Sequence, residues 1–496
     1  MIFTPEETRY ILQKNVTDQA FGFGFWSHPT PPSYHPIRGS SIETFQKCLA
    51  NGSYTSEDLV RTFLVRIAEV NDRTHAVVEI NPDALGIARA LDREREVSGP
   101  KSLLHGIPIL VKDSISAHGM NNTAGSYCLA GAKTKNEASM TVRLRQARAI
   151  ILEKSNMSQW DNGRSSADNA SNGWSSWGGQ AYGVYTLQQD LCRSSSGSAT
   201  AMAMGLAVAT IGVETVGSIT YPAMESNIVS IKPTAEPVAK DNVIVAKSRR
   251  AVGPMTSTIK DTAILLTFMA GKSKLDTVTK LVPFKKMPDY AKSCNRNALR
   301  NARIGIPRNG LNNPIGVNIN MAAIMKAFGD AALLMQKNGA TIVENANYPA
   351  YDDVYSKAPQ AIYGPSEYGL DIAKFFKELS INPKNIHSIK DMIECTKPNP
   401  LEEYPSHNIA VFENVEKALR FNSPEVAAAS KQMKYLGAEG GIDGALEAVT
   451  ADALILPSVI CSDIPGFAGH LTITVPMGFL PPGTPVTKKS EGRSDR

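Results

Sequence analysis

Arg193-Ser194-Ser195-Ser196-Gly197-Ser198 and Glu214-Thr215-Val216-Gly217-Ser218 are two serine-bearing turns that flank one helix and one strand. The apolar run over residues 199–206 predicts the helix, and residues 208–213 predict the strand. Serine hydroxyls compete with backbone hydrogen bonds and gain little from burial, so core packing does not require three consecutive serines. A phosphate-binding loop would normally continue with Gly-Lys-Ser/Thr, which is absent here. The two turns can converge, and a catalytic serine loop and a structural turn both remain open interpretations.

The second anchor is the run Gly106-Ile107-Pro108-Ile109-Leu110-Val111-Lys112-Asp113, which predicts a strand that ends at a lysine. Alone, such a lysine indicates no more than a solvated strand end. Together with the two serine turns, however, it resembles the amidase signature family, and within that family the fungal acetamidase-like members. The resemblance covers residues 42–255 and resumes at residues 472–479. Its further landmarks are Asn121-Asn122-Thr123-Ala124-Gly125-Ser126-Tyr127, Asn156-Met157-Ser158-Gln159-Trp160, Gly173-Trp174-Ser175, Gly178-Gly179-Gln180 and Ile231-Lys232-Pro233-Thr234.

The resemblance implies a Ser-Ser-Lys triad in which Ser218 is the nucleophile, Ser194 the bridging serine and Lys112 the base. Ser194 and Ser218 are 24 positions apart, the interval expected between the family's two serines. A serine hydroxyl is a poor nucleophile until another group takes its proton. Lys112 can do so only as a neutral amine, which requires a dry pocket or nearby positive charge. The resemblance also implies a cis peptide bond at Ser194, a conformation that costs about 3–4 kcal/mol for a non-proline residue.

The resemblance further implies a site for the oxyanion and a site for the substrate. The oxyanion would be held by backbone N–H groups of the nucleophile turn, those of Thr215, Val216, Gly217 and Ser218. The candidate substrate-binding residues are Gly178, Gly179, Gln180 and Ser195.

Several positions depart from the family pattern. Arg193 stands where a glycine usually precedes the bridging serine, and Glu214 replaces the usual aspartate. Val216 occupies a position that is commonly glycine, and a β-branched residue is costly there if the backbone needs a positive φ. Ser230 replaces a glycine, and Arg249-Arg250 replaces a Gln-Asp pair.

Helical patterns alternate with short apolar runs along the chain, which predicts an α/β fold. We expect a single large domain in which a mixed, largely parallel β-sheet is covered by α-helices on both faces. Thr55 predicts the N-cap of a helix that continues to Val70, and Asn81-Pro82 predicts the start of the next helix.

We expect three segments along the chain. Residues 1–40 form an N-terminal surface segment, residues 41–480 form the amidase signature domain with its catalytic core at about 100–260, and residues 481–496 form a disordered tail. The strand and helix that close the chains of the family are not matched after residue 479.

Composition excludes several classes of function. The chain has 52 basic and 47 acidic residues in 496, a net charge of +5 without a basic stripe, so no nucleic-acid partner is expected. The six cysteines include no C-x-x-C pair, and we expect reduced, mostly buried thiols in a cytoplasmic protein. The histidines show no zinc-binding pattern, so neither a metal nor a cofactor is expected. No signal peptide and no apolar run long enough for a membrane span are visible.

The implied activity is hydrolysis of a carboxylic amide, a linear amide other than a peptide bond, to an acid and an amine or ammonia. The expected partner is therefore a small-molecule amide, and a homodimer is a reasonable default. One alternative is a catalytically impaired remnant with a binding role or no function. The other is the glutamine-dependent A subunit of a tRNA amidotransferase. It fits less well, because that branch typically has Asp-Thr-Gly-Gly-Ser-Ile-Arg where this sequence has Glu214-Thr215-Val216-Gly217-Ser218-Ile219-Thr220.

Overall fold

The structure is a computed structural model that describes residues 39–165, 172–244, 249–312, 321–356, 359–418, 423–461, 463–484 and 488. The N-terminal segment predicted for residues 1–40 lies almost wholly outside the described residues. The same holds for most of the tail predicted for residues 481–496.

A seven-stranded sheet forms the centre of the molecule. Its strands are β1 (Val77–Ile80), β2 (Pro108–Lys112), β4 (Ile150–Ser155), β7 (Ala209–Glu214), β8 (Val229–Lys232), β9 (Ala251–Thr256) and β14 (Thr472–Thr474). They lie side by side in the order β1-β4-β2-β7-β9-β8-β14. Parallel pairing joins β2 to β4 and to β7. The other pairs are antiparallel: β1 with β4, β7 with β9, β9 with β8, and β8 with β14.

Every residue of β2, β4, β7 and β9 is buried, so the middle of the sheet is covered on both faces. This explains why the apolar residues of these strands, such as those of residues 109–111 and 150–152, follow one another without alternation. The predicted α/β class and mixed sheet are confirmed.

Smaller strands lie outside the central sheet. A parallel sheet joins β11 (Thr341–Glu344), β10 (Arg303–Ile306) and β13 (Ala453–Leu454). Two-stranded pairs join β3 (Lys133–Thr134) to β12 (Leu379–Ile381), and β5 (Trp174–Ser175) to β6 (Gly179–Gln180).

The helices surround these sheets. In chain order they are α1 (Ile42–Ala50), α2 (Ser56–Thr74), α3 (Ala84–Ser98), α4 (Ser139–Gln146), α5 (Ser196–Met204), α6 (Thr220–Glu225), α7 (Ile259–Met269), α8 (Met321–Lys337), α9 (Tyr351–Ser356), α10 (Pro359–Lys377), α11 (Ile389–Thr396), α12 (Ala410–Lys417), α13 (Pro424–Gly437), α14 (Ile442–Val449) and α15 (Asp463–Ala468). No helix within the described ranges combines the length and hydropathy that crossing a membrane would require.

The two predicted helix starts differ in outcome. Thr55 caps α2 as predicted: its side chain accepts a hydrogen bond from the Asp58 N–H, and the Asp58 carboxylate accepts one from the Thr55 N–H. The start at Asn81-Pro82 is wrong by two residues. Asn81 Oδ1 accepts a hydrogen bond from the Asp83 N–H at 3.0 Å and so forms a turn before α3 begins at Ala84.

Cys128 and Cys395 form a disulfide with their Cα atoms 6.0 Å apart. The prediction that all six cysteines are reduced thiols is therefore wrong for this pair. The partners are 267 positions apart in sequence and meet because α11 packs against the turn at Tyr127–Leu129. Sequence spacing cannot show such a contact. The cysteines outside this disulfide are Cys48, Cys192, Cys294 and Cys461.

Candidate active site

The site lies where β2 and β7 end. Carboxyl ends of neighbouring parallel strands meet at one edge of a sheet, so Lys112 at the end of β2 lies beside the turn that follows β7. The Lys112 side chain is fully buried. Its Nζ donates a hydrogen bond to Ser194 Oγ at 2.7 Å and makes a longer contact of 3.5 Å with the Val213 carbonyl. The predicted base and bridging serine are thus in contact.

Ser195 holds the two serine turns together. Its N–H donates to the Ser218 carbonyl at 3.1 Å. Its hydroxyl donates to the Val213 carbonyl and accepts from the Val213 N–H, both at 3.2 Å. Ser195 was predicted to bind substrate, and this role stays a prediction. The observed bonds of Ser195 connect the loop of Ser194 to the turn of Ser218.

Glu214 orders the turn that carries Ser218. Its Oε2 accepts hydrogen bonds from the N–H groups of Ile219 at 2.6 Å and Thr220 at 2.8 Å, at the start of α6. The positive φ of this turn, 76°, falls on Gly217. Val216 is not among the residues with positive φ, so the strain considered for a valine at this position does not arise.

Asp161 completes a charged cluster that the sequence did not reveal. Its Oδ1 forms an ion pair with Lys112 Nζ and accepts a hydrogen bond from the Ser194 hydroxyl at 3.3 Å. Its Oδ2 is 3.1 Å from an Arg250 guanidinium nitrogen. Arg250 belongs to the Arg-Arg pair that departs from the family pattern. A largely buried arginine needs an acidic partner, but the burial of Arg250 is visible only in the structure, so the sequence held no signal for Asp161.

The electrostatic environment of Lys112 is set by burial and by three charged groups. Burial lowers the pKa of the Lys112 amine below its ordinary value, and Arg250 acts in the same direction. Asp161 raises this pKa through charge and hydrogen bonding, and Glu214 also raises it. The net direction is downward, as a lysine that acts as a base requires.

Asp113, the residue after Lys112, fixes the adjoining turn. Its Oδ2 accepts a hydrogen bond from the Thr123 hydroxyl and one from the Gly125 N–H at 2.8 Å. Its other oxygen lies 3.9 Å from the ammonium of the buried Lys154. This contact network also was not anticipated from the sequence.

The peptide bonds that flank Ser194 are trans. Among the described residues the cis peptide is Tyr404–Pro405, so the expected cis bond at Ser194 is wrong for this structure. In the trans arrangement the Ser194 hydroxyl already reaches both Lys112 and Asp161.

The predicted substrate-binding residues of the 178–180 segment lie in and beside the β5–β6 hairpin. Asn156 Nδ2 donates to the carbonyls of Gly178 and Gly179 at 3.2 and 3.1 Å. The backbone carbonyl of Asn156 accepts a hydrogen bond from the Gly197 N–H at 3.1 Å, in the first turn of α5, which directly follows the loop of Ser194. The side-chain amide of Gln180 donates to the carbonyls of Asn172 and Ala181. The hairpin is therefore connected to the serine loop, and its role in binding substrate stays a prediction.

Comparison with known proteins decides the family. The amidase family model matches residues 58–465, which is most of the chain. The chain belongs to the amidase signature family. It is therefore an amide hydrolase.

Individual relatives agree with this assignment. A protein of Arthroderma benhamiae that is named as an amidase is 40% identical over 479 residues, covering 91% of this chain and 79% of the relative. The structure of the native peptide amidase from Stenotrophomonas maltophilia superposes with a TM-score of 0.82 at 30% identity, covering 91% of this chain and 93% of that one. The A subunit of the glutamyl-tRNA(Gln) amidotransferase of Clostridium botulinum is 29% identical over 347 residues, covering 69% of this chain and 68% of the relative.

Proposed function

We propose that this amidase cleaves a linear carboxylic amide through an acyl-enzyme on Ser218, with Ser194 as proton relay and Lys112 as base. The observation that carries the proposal is the buried hydrogen bond of 2.7 Å between Lys112 Nζ and Ser194 Oγ. It supports the proposal because burial supplies the dry environment in which a lysine can act as a neutral amine.

The proposed acylation step forms the bond between Ser218 Oγ and the amide carbon, breaks the C–N bond, and carries one proton by way of Ser194 and Lys112 to the leaving nitrogen. The Ser218 hydroxyl gives its proton to Ser194 Oγ, and Ser194 passes its own proton to the neutral Lys112 amine. Ser218 Oγ bonds to the amide carbon, whose oxygen becomes an oxyanion. The C–N bond then breaks, and the leaving nitrogen takes the proton back from Lys112 through Ser194. Water attacks the acyl-enzyme by the same route, which releases the acid and restores all three residues.

The N–H groups of Thr215, Val216 and Gly217 are the proposed donors to the oxyanion. Two features support this assignment. The positive φ of Gly217 lies directly before Ser218 in the turn, and Glu214 holds the far side of that turn by accepting two backbone hydrogen bonds. Donors fixed before the reaction need not reorganise when charge develops on the oxygen.

We propose a small-molecule amide as substrate, and the similarity to a peptide amidase adds peptide-derived amides to the candidates. A homodimer and the absence of a nucleic-acid partner stay predictions. The cytoplasmic location also stays a prediction, and the Cys128–Cys395 disulfide argues against it, because reducing compartments disfavour disulfides.

Labelling with a broad serine-directed fluorophosphonate tests the proposal. We expect one covalent adduct by intact mass, located on Ser218 by peptide analysis and absent in Ser218→Ala. Lys112→Ala should slow labelling about 100-fold or more, the usual contribution of a general base. A panel of aliphatic, aryl and peptide amides, assayed by release of ammonia or amine, then identifies the preferred substrate.

The contrary result is a wild-type protein that unfolds cooperatively but forms no adduct. It would remove Ser218 from the mechanism and favour the non-catalytic alternative. An adduct that forms equally fast in Lys112→Ala would remove Lys112 as the base.

A further inference from the structure

Asp161 makes the most direct charged contact with Lys112, and it is not one of the three residues of the proposed triad. Lys112, Asp161 and Ser194 form a closed triangle: Lys112 contacts both partners, and the Ser194 hydroxyl donates to Asp161 Oδ1 at 3.3 Å. The Asp161 side chain is only 3% exposed. A carboxylate in this position holds the lysine in its charged form, in opposition to burial.

A strained turn presents Asp161 to the lysine. Trp160, Asp161 and Asn162 all have left-handed backbone angles, with φ of 55°, 56° and 64°. Single non-glycine residues rarely adopt this conformation, and three in succession require support from their surroundings.

The support comes from the fully buried Trp160. Its indole packs edge-on against the rings of Phe376 at 6.5 Å and Phe412 at 6.0 Å between centroids. The backbone N–H of Trp160 donates to the Ala124 carbonyl at 2.9 Å. Because the turn is fixed at Trp160, the position of Asp161 beside Lys112 is built into the fold.

Arg250 provides a positive charge that is paired with the Asp161 carboxylate. It contacts the second oxygen of Asp161 at 3.1 Å and is 15% exposed. The charged groups that act on Lys112 are therefore Asp161 from the left-handed turn, Arg250 from the segment before β9, and Glu214 from the end of β7. Next to Lys112 in the chain, Asp113 faces Lys154.

We propose that Asp161 is a positioning residue which, with Arg250, sets the pH above which Lys112 becomes a proton acceptor. The inference rests on the proposed role of Lys112 as base. In the resting arrangement Lys112 is an ammonium ion paired with Asp161. Rising pH removes one proton from Lys112 to solvent. The neutral amine then accepts the proton that Ser218 transfers through Ser194.

The direct test follows the titration of Lys112 by NMR, in protein labelled with 15N at lysine Nζ. Lys112→Arg assigns the signal, which must be separated from those of the buried Lys154, Lys232 and Lys240. Asp161→Asn should lower the titration midpoint of Lys112 by about 1–3 pH units, the range for an adjacent opposite charge. Asparagine tolerates the left-handed conformation of this position, so the backbone is kept.

A second variant makes an opposite prediction. Arg250→Gln should raise the titration midpoint of Lys112 for two reasons. It removes a like charge near Lys112, and Lys112 then becomes the remaining cation paired with the Asp161 carboxylate. The shift should be smaller, since Arg250 acts across Asp161. This variant leaves the left-handed turn untouched and keeps the test valid if Asp161→Asn folds poorly. Asp330→Asn, which removes a surface carboxylate paired with Lys326, is the matched control and should leave the midpoint unchanged.

The pH dependence of fluorophosphonate labelling supplies the functional readout. On the acidic side of the pH profile, the rise of the labelling rate should move to lower pH in Asp161→Asn and to higher pH in Arg250→Gln.

A Lys112 midpoint that is unchanged by both variants, or that moves in the opposite direction, overturns the inference. So does complete loss of labelling at every pH in a folded Asp161→Asn protein, because Asp161 would then be the acceptor itself. If the wild type is not labelled at all, the proposed function fails, and the NMR titration still decides the role of Asp161.

Discussion

Gly466 lies where α15 crosses the turn that carries Ser218. A Cβ atom at this position would be 2.6 Å from Val216 Cγ2 and 2.9 Å from the Thr215 carbonyl oxygen. Both distances are far below ordinary van der Waals contact, and the second involves backbone that cannot rotate away. The absence of a side chain at Gly466 thus permits the close approach of helix and turn.

Gly466→Ala should therefore slow labelling of Ser218 at least about 10-fold, because a displaced turn misaligns the nucleophile and the proposed oxyanion donors. The rate of fluorophosphonate labelling at saturating reagent measures the effect. The matched control is Gly329→Ala on α8, where a Cβ meets nothing within 4 Å. This control should label at the wild-type rate and gain about 0.5–1 kcal/mol of stability from helix propensity. Equal labelling rates for the two variants would mean that the turn does not depend on Gly466.

The three residues of the proposed triad could be predicted from the sequence because each occupies a fixed place in an ordered set of motifs. Asp161 could not, because it is 49 positions from Lys112 and 89 from Arg250, and nothing in the spacing joins them. Asp161 lies beside Lys112 because the backbone of residues 160–162 is left-handed. This conformation is hard to predict from sequence where the residues are not glycine. The cis bond expected at Ser194 came from the family rather than from this chain.

At the scale of elements, β4 contains a buried acidic residue in the middle of the sheet. Glu153 is fully buried, pairs in register with Ile80 and Leu110, and neither of its carboxylate oxygens has a hydrogen-bond partner. Burial raises the pKa of this carboxyl well above its ordinary value. The group is accordingly protonated in the folded protein at pH values where the unfolded chain has lost that proton.

The sign of the pH dependence follows from this difference. Between the ordinary glutamate pKa of about 4.3 and the raised value in the folded state, the folded protein binds one more proton, so its stability falls as pH rises. Glu153→Gln removes this loss and should increase the free energy of unfolding by about 1–3 kcal/mol at pH 8, with little change at pH 4. Urea unfolding of both proteins across this range measures the difference.

Glu96→Gln, on the exposed end of α3, is the control and should show no pH-dependent gain. A Glu153→Gln protein that is less stable than the wild type at pH 8 would mean that the carboxylate is ionised and has a partner in solution.

Elements with one strong periodic signal were predictable. The helix expected from Thr55 to Val70 is observed as α2, and the strand expected over residues 208–213 is observed as β7. Long-range pairing was not predictable, because it depends on contacts between segments hundreds of residues apart. The Cys128–Cys395 bond and the antiparallel pairing of β8 with β14 belong to this class.

On the scale of the whole molecule, β14 is an edge strand of the central sheet and carries an exposed apolar surface. Within the described part of the chain it pairs with β8 alone. The exposed side chains on and next to it are Leu471, Ile473, Val475, Met477, Phe479 and Leu480. An unpaired apolar edge is a template for pairing with another chain.

Ile473→Lys should therefore reduce self-association, because a charged side chain on an edge strand opposes pairing between sheets. Light scattering over a range of protein concentrations measures the effect, and labelling of Ser218 should be unchanged. Val97→Lys replaces an exposed valine on α3 that is remote from this strand, and it serves as the control for added charge alone. If self-association fell equally in both variants, the cause would be the added net charge and not the edge strand β14.

The disulfide closes a covalent ring from Cys128 to Cys395 that contains Asp161, Ser194, Ser218 and Arg250 and leaves Lys112 outside. A single cut of the backbone anywhere within this ring cannot separate the protein into two pieces. The halves stay joined through sulfur until the bond is reduced. In its oxidised form, the molecule can therefore be nicked between its two serine turns and still migrate as one chain.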